Sequence, residues 1–314
     1  MKKLWFAIIA LTLWFELGCG GVQSTKVNDP PVSPSPTQTS VPHIGHIALI
    51  IFENQEEDGI LGNPNMAFLT SLARQNAYAA QYFADVHPSL GNYFTLTTGQ
   101  IISNDLNFAG VVDVDNLVRE IIKAGKTWKA YEEDIPATGY LDDGPYPYIK
   151  THDPAAYLSD VRNNPAQAAN LVSLDQLQAD LASHNLPNFM FVEPNQINSM
   201  HDCPGGGQGC PNDVALHGGD VWAQNHIPAI INNPVFQQDG LLIITWDESW
   251  DIDFQHGGGH VLTIMVGPKV KPQFVSNTFY QHESVLRTIC DALGIPSMGN
   301  AASAPPMADF FVGH

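Results

Sequence analysis

Short apolar runs alternate with amphipathic segments along the chain from residue 46 onward. HIALIIF (46–52), LLIITW (241–246) and VLTIMVG (261–267) are short, continuous and rich in branched side chains, which is typical of strands buried on both faces. TWKAYEE (127–133) and NFMFVEP (188–194) are also strand-like, so two further strands are predicted there.

Between these runs, apolar residues recur at the three- and four-residue spacing of a helix face. The predicted helices are NMAFLTSLARQNA (65–77), SLGNYFTLTTG (89–99), DNLVREIIKAG (115–125), SLDQLQADLASH (173–184) and HESVLRTICDALG (282–294). Ser173 and Gln176 have the spacing of a capping box, and Gly125 is a helix stop. The alternation predicts an α/β fold, a three-layer α/β/α sandwich with a mainly parallel central sheet.

Polar and ionisable residues follow several predicted strands at the point where each strand ends. They are Glu53–Asn54, His87–Pro88–Ser89 after YAAQYFADV (78–86), Glu193, and Asp247–Glu248. Any one of them could be a strand-end cap that satisfies loop amides. Ligands of parallel α/β sheets bind beyond the carboxyl ends of the strands. The four positions together therefore predict a single functional rim.

Glu53, Asn54, Asp247 and Glu248 are oxygen donors of the kind that binds divalent cations. Burying three carboxylates together without a cation would be unfavourable or would raise their pKa values. A divalent metal site of unknown identity is one interpretation. The alternative is a set of exposed acids on an acidic protein.

Ser89 lies where the segment HPSLGNY (87–93) enters a predicted helix. One role for a serine there is to cap the helix. The other is that of a nucleophile near free backbone amides. The surrounding residues do not form the GxSxG turn of α/β-hydrolases, so a metal ion, rather than an Asp–His pair, would activate the hydroxyl.

Three of the 12 histidines lie in loops close to strand ends: His152, His201 and His260. Imidazoles in such positions can stabilise phosphoryl oxygens or protonate a leaving group. Chelation of a metal by His256 and His260 is a less favoured alternative.

The composition excludes some partners. With 32 acidic and 13 basic residues the net charge is −19, so most of the surface should repel nucleic acids and anionic membranes. We therefore expect no nucleic-acid partner. An anionic substrate would need a local positive device such as a metal ion.

The N-terminal sequence predicts export. Residues 1–19 combine two lysines, an apolar stretch and Gly18–Cys19, which is the pattern of a signal peptide. The residues that end in Gly18–Cys19 resemble a lipobox, with Glu16 in place of the usual aliphatic residue. We expect Cys19 to be lipidated and the protein to lie in the bacterial cell envelope, attached to the membrane only by that anchor. The alternative is a periplasmic or secreted protein. Residues 20–43 predict a disordered tether before one domain, 44–314.

Cysteine usage agrees with export. Cys203 and Cys210 flank PGGGQG, a flexible loop that a disulfide could close. Free thiols or half of a metal site are the alternatives, but no second cysteine pair is present to complete a zinc site. Cys290 lies on the apolar face of a predicted helix and is expected to be a core residue.

Eight motifs follow one another along the chain in an order that is more specific than any one of them. They are FEN (52–54), HPSLGNY (87–93), TWKAYEEDIP (127–136), YIKTHDPAAY (148–157), LPNFMFVEPN (186–195), MHD (200–202), ITWDES (244–249) and YQHESVLRTI (280–289). In order and spacing the chain resembles, from about residue 46 to about 293, the bacterial phosphoesterase family of phospholipase C and acid phosphatase enzymes, in the alkaline phosphatase superfamily.

The resemblance implies an alkaline-phosphatase-like fold and a role for each matching residue. It implies a divalent metal held by Glu53, Asn54, Ser89, Asp247 and Glu248, with Ser89 as nucleophile. It further implies that His201 and His260 are catalytic, that Asn92 and His152 bind the substrate phosphate, and that Asp202 supports the site or binds a second metal. The chain departs from the family in QEEDG after FEN and in the loop 203–217, which bears on the substrate.

These observations predict a metal-dependent hydrolase of a small-molecule or lipid phosphate ester. The compact chain, with no evident lipid-binding module, favours an acid phosphatase or broad phosphomonoesterase over a phospholipase C. A surface lipoprotein that binds a ligand without turnover is the alternative from another class. A sulfatase is disfavoured because HPSLGNY lacks the arginine of that signature. The oligomeric state stays open.

Overall fold

The described residues form one sheet of eight strands, and all but one of these strands run in the same direction. The strands are β1 (His46–Phe52), β2 (Ala77–Ala79), β3 (Trp128–Glu132), β4 (Leu171–Ser173), β5 (Phe189–Glu193), β6 (Gly240–Trp246), β7 (Thr263–Val266) and β8 (Phe274–Ser276). Their order across the sheet is β4-β3-β5-β1-β6-β7-β2-β8, and β7 is antiparallel to both of its neighbours.

This computed structural model describes residues 40–207, 210–250 and 252–313, which belong to one compact unit, Gln38–His314. The predicted signal peptide, the lipidation site Cys19 and residues 20–39 of the predicted tether lie outside the described residues. No helix within the described residues is long and apolar enough to cross a membrane.

Ten α-helices occur in the described chain. They are α1 (Glu57–Ile60), α2 (Ala67–Gln75), α3 (Leu90–Thr98), α4 (Leu117–Lys123), α5 (Ser159–Arg162), α6 (Pro165–Ala168), α7 (Leu174–Ser183), α8 (Asn212–Ile231), α9 (Pro234–Asp239) and α10 (His282–Leu293). α8 packs against α2 and α7, whereas α3 packs against α10 and α4. Every residue of β6 is buried, which requires cover on both faces of the sheet. The predicted three-layer fold is confirmed.

β1 lies at the centre of the sheet. It pairs in parallel with β6 over its whole length, from His46 opposite Gly240 to Phe52 opposite Trp246. It pairs on its other side with β5. This register brings the carboxyl ends of β1 and β6 side by side, so the polar residues that follow each strand become neighbours.

Two local predictions are corrected. The segment YAAQYFADV (78–86) predicts a long strand, but β2 ends at Ala79 and the chain continues in isolated bridges at Tyr82 and Phe83. The predicted capping box is wrong: Ser173 is the last residue of β4 and makes no side-chain cap hydrogen bond. The Gln176 amide instead donates to Asp180, one helical turn further on.

The predicted cysteine pairing is confirmed, since Cys203 and Cys210 form a disulfide. Cys290 is buried on α10 as predicted. Burial raises the pKa of its thiol to about 12, so this cysteine stays protonated and unreactive at neutral pH.

Candidate active site

Three carboxylates meet at the adjoining ends of β1 and β6. Glu53, Asp247 and Glu248, called the acid cluster below, are almost completely buried. The backbone N–H of Asn54 donates to Oδ1 of Asp247 across the two strands, at 3.1 Å. Asn54 has φ 53°, a left-handed conformation that asparagine tolerates better than most residues. The structure therefore brings together four of the five predicted metal-binding residues.

Ser89, the fifth, joins the acid cluster from the start of α3. Its hydroxyl oxygen lies 3.1 Å from Oε2 of Glu53 and 3.2 Å from Oε1 of Glu248. Its side chain makes no capping hydrogen bond to the helix. The hydroxyl has one proton to donate and two carboxylates to receive it, so the helix-cap interpretation does not describe what this side chain does.

The backbone before Ser89 is anchored to the glycine segment Gly257–Gly259. The N–H of Gly258 donates to the carbonyl of Ala84, and the N–H of Ala84 donates to the carbonyl of Gly259. A β-carbon on Gly257, whose φ is 113°, would collide with the carbonyl oxygen of Asp85. Only glycine permits this close approach without strain.

Asn92 also holds this loop. Its Oδ1 accepts hydrogen bonds from the backbone N–H groups of Asp85 and Val86, and its Nδ2 donates to the carbonyl of Val86 at 2.6 Å. These contacts give Asn92 a role in shaping the turn that carries Ser89. The substrate-binding role that the family resemblance implies for Asn92 stays a prediction.

Two side chains hold Glu53 in place. The hydroxyl of Tyr93 donates to its Oε1 at 2.5 Å, and Nε2 of His152 lies 3.1 Å from the same oxygen. The two rings are stacked, with an interplanar angle of 9°. Of the two, only His152 was predicted from the sequence. A signal for Tyr93 was present, because it follows Ser89 by four residues and shares its helix face.

Glu248 and Asp247 are each contacted by a histidine. The strand-end pattern included His87 without a specific role, and it did not include His282. Nδ1 of His87 lies 3.0 Å from Oε2 of Glu248. His282, on α10, donates from Nε2 to the carbonyl of Asp247 and accepts at Nδ1 from the Tyr82 hydroxyl. Burial lowers the pKa of His282 to about 4, so it is a neutral residue that positions Asp247.

The remaining predicted residues lie further out. His201 pairs through Nδ1 with Asp202 at 2.7 Å, and its ring centroid is 6.3 Å from that of His152. His260 stacks on Phe83, and its Nε2 lies 3.2 Å from the carbonyl of Ala80. None of these contacts brings His260 to the acid cluster. Catalytic roles for both histidines, and a metal-binding role for Asp202, stay predictions.

Burial dominates the electrostatics of the acid cluster. Desolvation, with the neighbouring charge of Asp247, raises the pKa of Glu53 well above its ordinary value. Desolvation, with the charge of Glu248, does the same to the pKa of Asp247. No lysine or arginine of the described chain forms an ion pair with these carboxylates. The described residues thus give the cluster no fixed positive charge.

The residues fit a divalent cation. Oδ1 of Asn54 is buried and accepts no hydrogen bond from a described residue, and Oδ2 of Asp247 is also buried. Both are oxygen donors of the type that hard cations prefer. In the described ranges, no three His, Cys, Asp or Glu side chains are already arranged to hold a metal ion.

A second group of buried acids lies beside the first. Glu132 of β3 and Glu193 of β5 are partners in the parallel register, and both are buried together with Asp153. Burial raises the pKa of Asp153 to about 7, and burial with the charge of Asp153 raises the pKa of Glu132 and Glu193. Of these three acids, the strand-end pattern in the sequence pointed only to Glu193.

A cavity of about 410 Å³ opens beside the acid cluster. Its lining consists of Asn54, Met200, His201, Cys203, Cys210, Asn212, Ala215 and Trp250. The Cys203–Cys210 disulfide forms part of its wall. We refer to this cavity as the disulfide pocket.

A model of the Phosphoesterase family matches residues 53–296. The chain is 30% identical over 275 residues to a phosphatidylinositol-3-phosphatase from Mycobacterium tuberculosis, covering 87% of this chain and 85% of that protein. It is 26% identical to a phosphate-repressible acid phosphatase from Penicillium chrysogenum, over 74% of this chain and 55% of the fungal enzyme.

The structural comparison agrees with the fold. A protein of the alkaline phosphatase superfamily from Vibrio parahaemolyticus matches with a TM-score of 0.57 and 11% identity, over 83% of this chain and 71% of that one. The mixed α/β architecture is thus shared with this member of the alkaline phosphatase superfamily, in agreement with the fold that the motifs implied.

Proposed function

This chain belongs to the phosphoesterase family, and on that premise we propose that it hydrolyses phosphate monoesters with Ser89 as the nucleophile. The observation that carries the proposal is the position of the Ser89 hydroxyl, which lies within 3.2 Å of carboxylate oxygens from two different strand ends. A serine that only capped a helix would point to the backbone of α3 instead.

The chemistry follows from this position. The Ser89 oxygen attacks phosphorus in line and forms an O–P bond while the bond to the ester oxygen breaks. The hydroxyl proton passes to Glu53 or Glu248, which already accept hydrogen bonds from it. His201, oriented through Nδ1 by Asp202, supplies a proton to the departing oxygen. Water then cleaves the phosphoserine and releases phosphate.

A divalent cation fits the oxygen donors Glu53, Asn54, Asp247 and Glu248, with Ser89 beside them. When bound, it would supply the positive charge that offsets the carboxylates and the incoming phosphate. The protein's own contribution is to hold those donors. Tyr93 and His152 fix Glu53, and the backbone of Asn54 fixes Asp247.

We also propose that the protein is exported to the cell envelope. The Cys203–Cys210 disulfide supports this, because such bonds persist in oxidising compartments. Residues 1–19 support it through their signal-peptide pattern. Labelling the processed chain with a radioactive fatty acid, beside Cys19→Ser, would test whether Cys19 is lipidated. Label that persists in the variant would contradict lipidation at this residue.

The first test is hydrolysis of p-nitrophenyl phosphate by the purified chain, with and without a chelator. We expect Ser89→Ala to lower kcat by at least about a thousandfold, because the variant lacks the attacking oxygen. Ser71→Ala is the matched control, since Ser71 is exposed on α2. A Ser89→Ala enzyme with more than about a tenth of the wild-type kcat would contradict the proposal. Parallel assays with p-nitrophenylphosphorylcholine separate monoester from diester hydrolysis.

A further inference from the structure

The disulfide pocket is continuous with the candidate active site. Asn54 and His201 belong to its lining. The backbone of Asn54 is bonded to Asp247, and His201 faces His152, which contacts Glu53. A phosphate ester whose phosphorus reaches Ser89 would therefore direct its leaving group toward this cavity. A cavity of about 410 Å³ is within the range of small-molecule sites.

The far wall of the pocket is largely apolar. It is built from Met200, Ala215, Trp250 and the disulfide. Trp250 is 40% exposed, so part of its side chain is accessible to a ligand. Sulfur atoms and an indole ring make favourable contacts with aromatic groups.

The polar side chain of this wall is already satisfied. Nδ2 of Asn212 donates to Oε1 of Gln55, and Nε2 of Gln55 donates back to Oδ1 of Asn212. Nδ1 of His201 is engaged by Asp202. A sugar-like polyol in the pocket would therefore bury hydroxyl groups against few open partners, which is unfavourable.

The charge of the protein disfavours a leaving group that itself carries a second phosphate. Among the described residues, the lining contains neither lysine nor arginine, and the chain has a net charge of −19. A leaving group with an anionic substituent would be repelled and left without a counter-charge. A cationic leaving group would find no carboxylate among the described lining residues, and the nearby Asp202 is occupied by His201.

We infer that the disulfide pocket is a subsite for an uncharged, apolar leaving group with an aromatic ring, and that Trp250 is the residue that selects it. This inference rests on the proposed monoesterase function. It places the natural substrate among aryl or arylalkyl phosphate monoesters, rather than among sugar phosphates or phosphocholine.

The main comparison is between benzyl and ethyl phosphate, whose leaving alcohols have similar basicity, so that chemical reactivity does not mimic binding. The full chain is assayed with benzyl phosphate, ethyl phosphate, myo-inositol 1-phosphate and phosphocholine. We expect kcat/KM for benzyl phosphate to exceed that for ethyl phosphate by about tenfold or more, because the ring gains apolar and stacking contacts. A preference for inositol phosphate or phosphocholine would overturn the inference.

Variants of residues in the disulfide pocket test whether this pocket causes the preference for benzyl phosphate over ethyl phosphate. Trp250→Ala should lower the benzyl-to-ethyl ratio of kcat/KM about three- to tenfold. Trp250→Phe should restore most of the loss, and Ala215→Leu, which narrows the pocket, should lower the benzyl rate selectively. Val275→Ala, an exposed position on β8, is the control. An unchanged benzyl-to-ethyl ratio in Trp250→Ala would refute the role of this residue.

Binding measurements with ligands that cannot be hydrolysed distinguish failure of this inference from failure of the proposed function. Benzylphosphonate and ethylphosphonate cannot be hydrolysed, so calorimetry measures the subsite without turnover. Tighter binding of benzylphosphonate that weakens in Trp250→Ala supports the subsite even if no ester is hydrolysed. Equal binding of the two phosphonates overturns the subsite, whereas hydrolysis of ethyl phosphate that is lost in Ser89→Ala leaves the monoesterase function intact.

Discussion

At the scale of single residues, the position of the Ser89 hydroxyl depends on the side chains that hold its hydrogen-bond acceptors in place. Glu53 is both an acceptor for Ser89 and the residue that Tyr93 and His152 contact. Burial raises the pKa of this carboxyl, while the hydrogen bond from Tyr93 lowers it. Tyr93 therefore works to keep Glu53 ionised in a site that favours its protonation.

This balance predicts the effect of Tyr93→Phe. Without the phenolic hydrogen bond, the pKa of Glu53 rises further, so the ionised form is lost at a higher pH. We expect kcat/KM to fall about 10- to 100-fold, as for a hydrogen bond to a charged group, and the acid limb of the pH–rate profile to move to higher pH. Tyr140→Phe, which loses a hydrogen bond in a loop, is the control. A rate loss without movement of the acid limb would indicate a purely structural role.

At the scale of elements, two neighbouring strand ends and one helix start create the site. β1 and β6 deliver Glu53, Asp247 and Glu248, and α3 delivers Ser89. The segment Gly257–Gly259 fastens the loop that follows β6 to the loop that precedes α3. The distance from Ser89 to Glu248 is thus set by contacts between loops rather than within one element.

Gly257→Ala tests this arrangement. The added methyl group would collide with the Asp85 carbonyl, in a backbone conformation of φ 113°. We expect a loss of roughly 2–3 kcal/mol in unfolding free energy and a lower kcat. Gly125→Ala is the matched control, because its φ is 68° but nothing lies within 4 Å, so it should lose only about 1 kcal/mol and retain kcat. Urea denaturation and kcat measurements that did not differ between the variants would contradict the fastening role.

At the scale of the whole molecule, an acidic chain buries further acids at one edge of its sheet. The net charge is −19, and Glu53, Glu132, Asp153, Glu193 and Asp247 all have raised pKa values because of burial. The native state then holds protons that the unfolded chain has already released. Stability contributed by these groups is present at low pH and is lost as pH rises toward the native pKa.

For Asp153 this window runs from about 4, the unfolded value, to about 7. We therefore expect the metal-free protein, prepared with a chelator, to have a lower Tm at pH 8 than at pH 6. Glu193→Gln should raise the Tm at pH 8 by a few degrees, which corresponds to roughly 1–2 kcal/mol of unfolding free energy. Asp143→Asn, at an exposed position, should change little. A Tm that rises from pH 6 to pH 8, or a Glu193→Gln variant that melts lower, would contradict this prediction.

Local patterns along the chain located five of the eight described strands, five of the ten described α-helices and the acids at the strand ends. They did not predict β4, β8 or the 20-residue helix α8. HIALIIF coincides with β1, and NFMFVEP, TWKAYEE and LLIITW match three more strands to within a residue or two. Periodicity and continuous apolar runs are local properties, so a single sequence expresses them. The positions of Glu53, Asn54, Asp247 and Glu248 followed because parallel strands present their carboxyl ends at one edge.

The meeting of side chains across long separations depends instead on the folded chain. His282 bonds to Asp247 from α10, the glycines 257–259 pack on the loop before Ser89, and Glu132 lies beside Glu193 through the β3–β5 register. β2 also ends earlier than the local pattern predicts, and the side chain of Ser173 makes no capping hydrogen bond to α7. Such features arise from register and packing between segments distant in sequence. No local pattern encodes these contacts, because the residues around each partner in the sequence carry no signal of the distant residue that it meets in the fold.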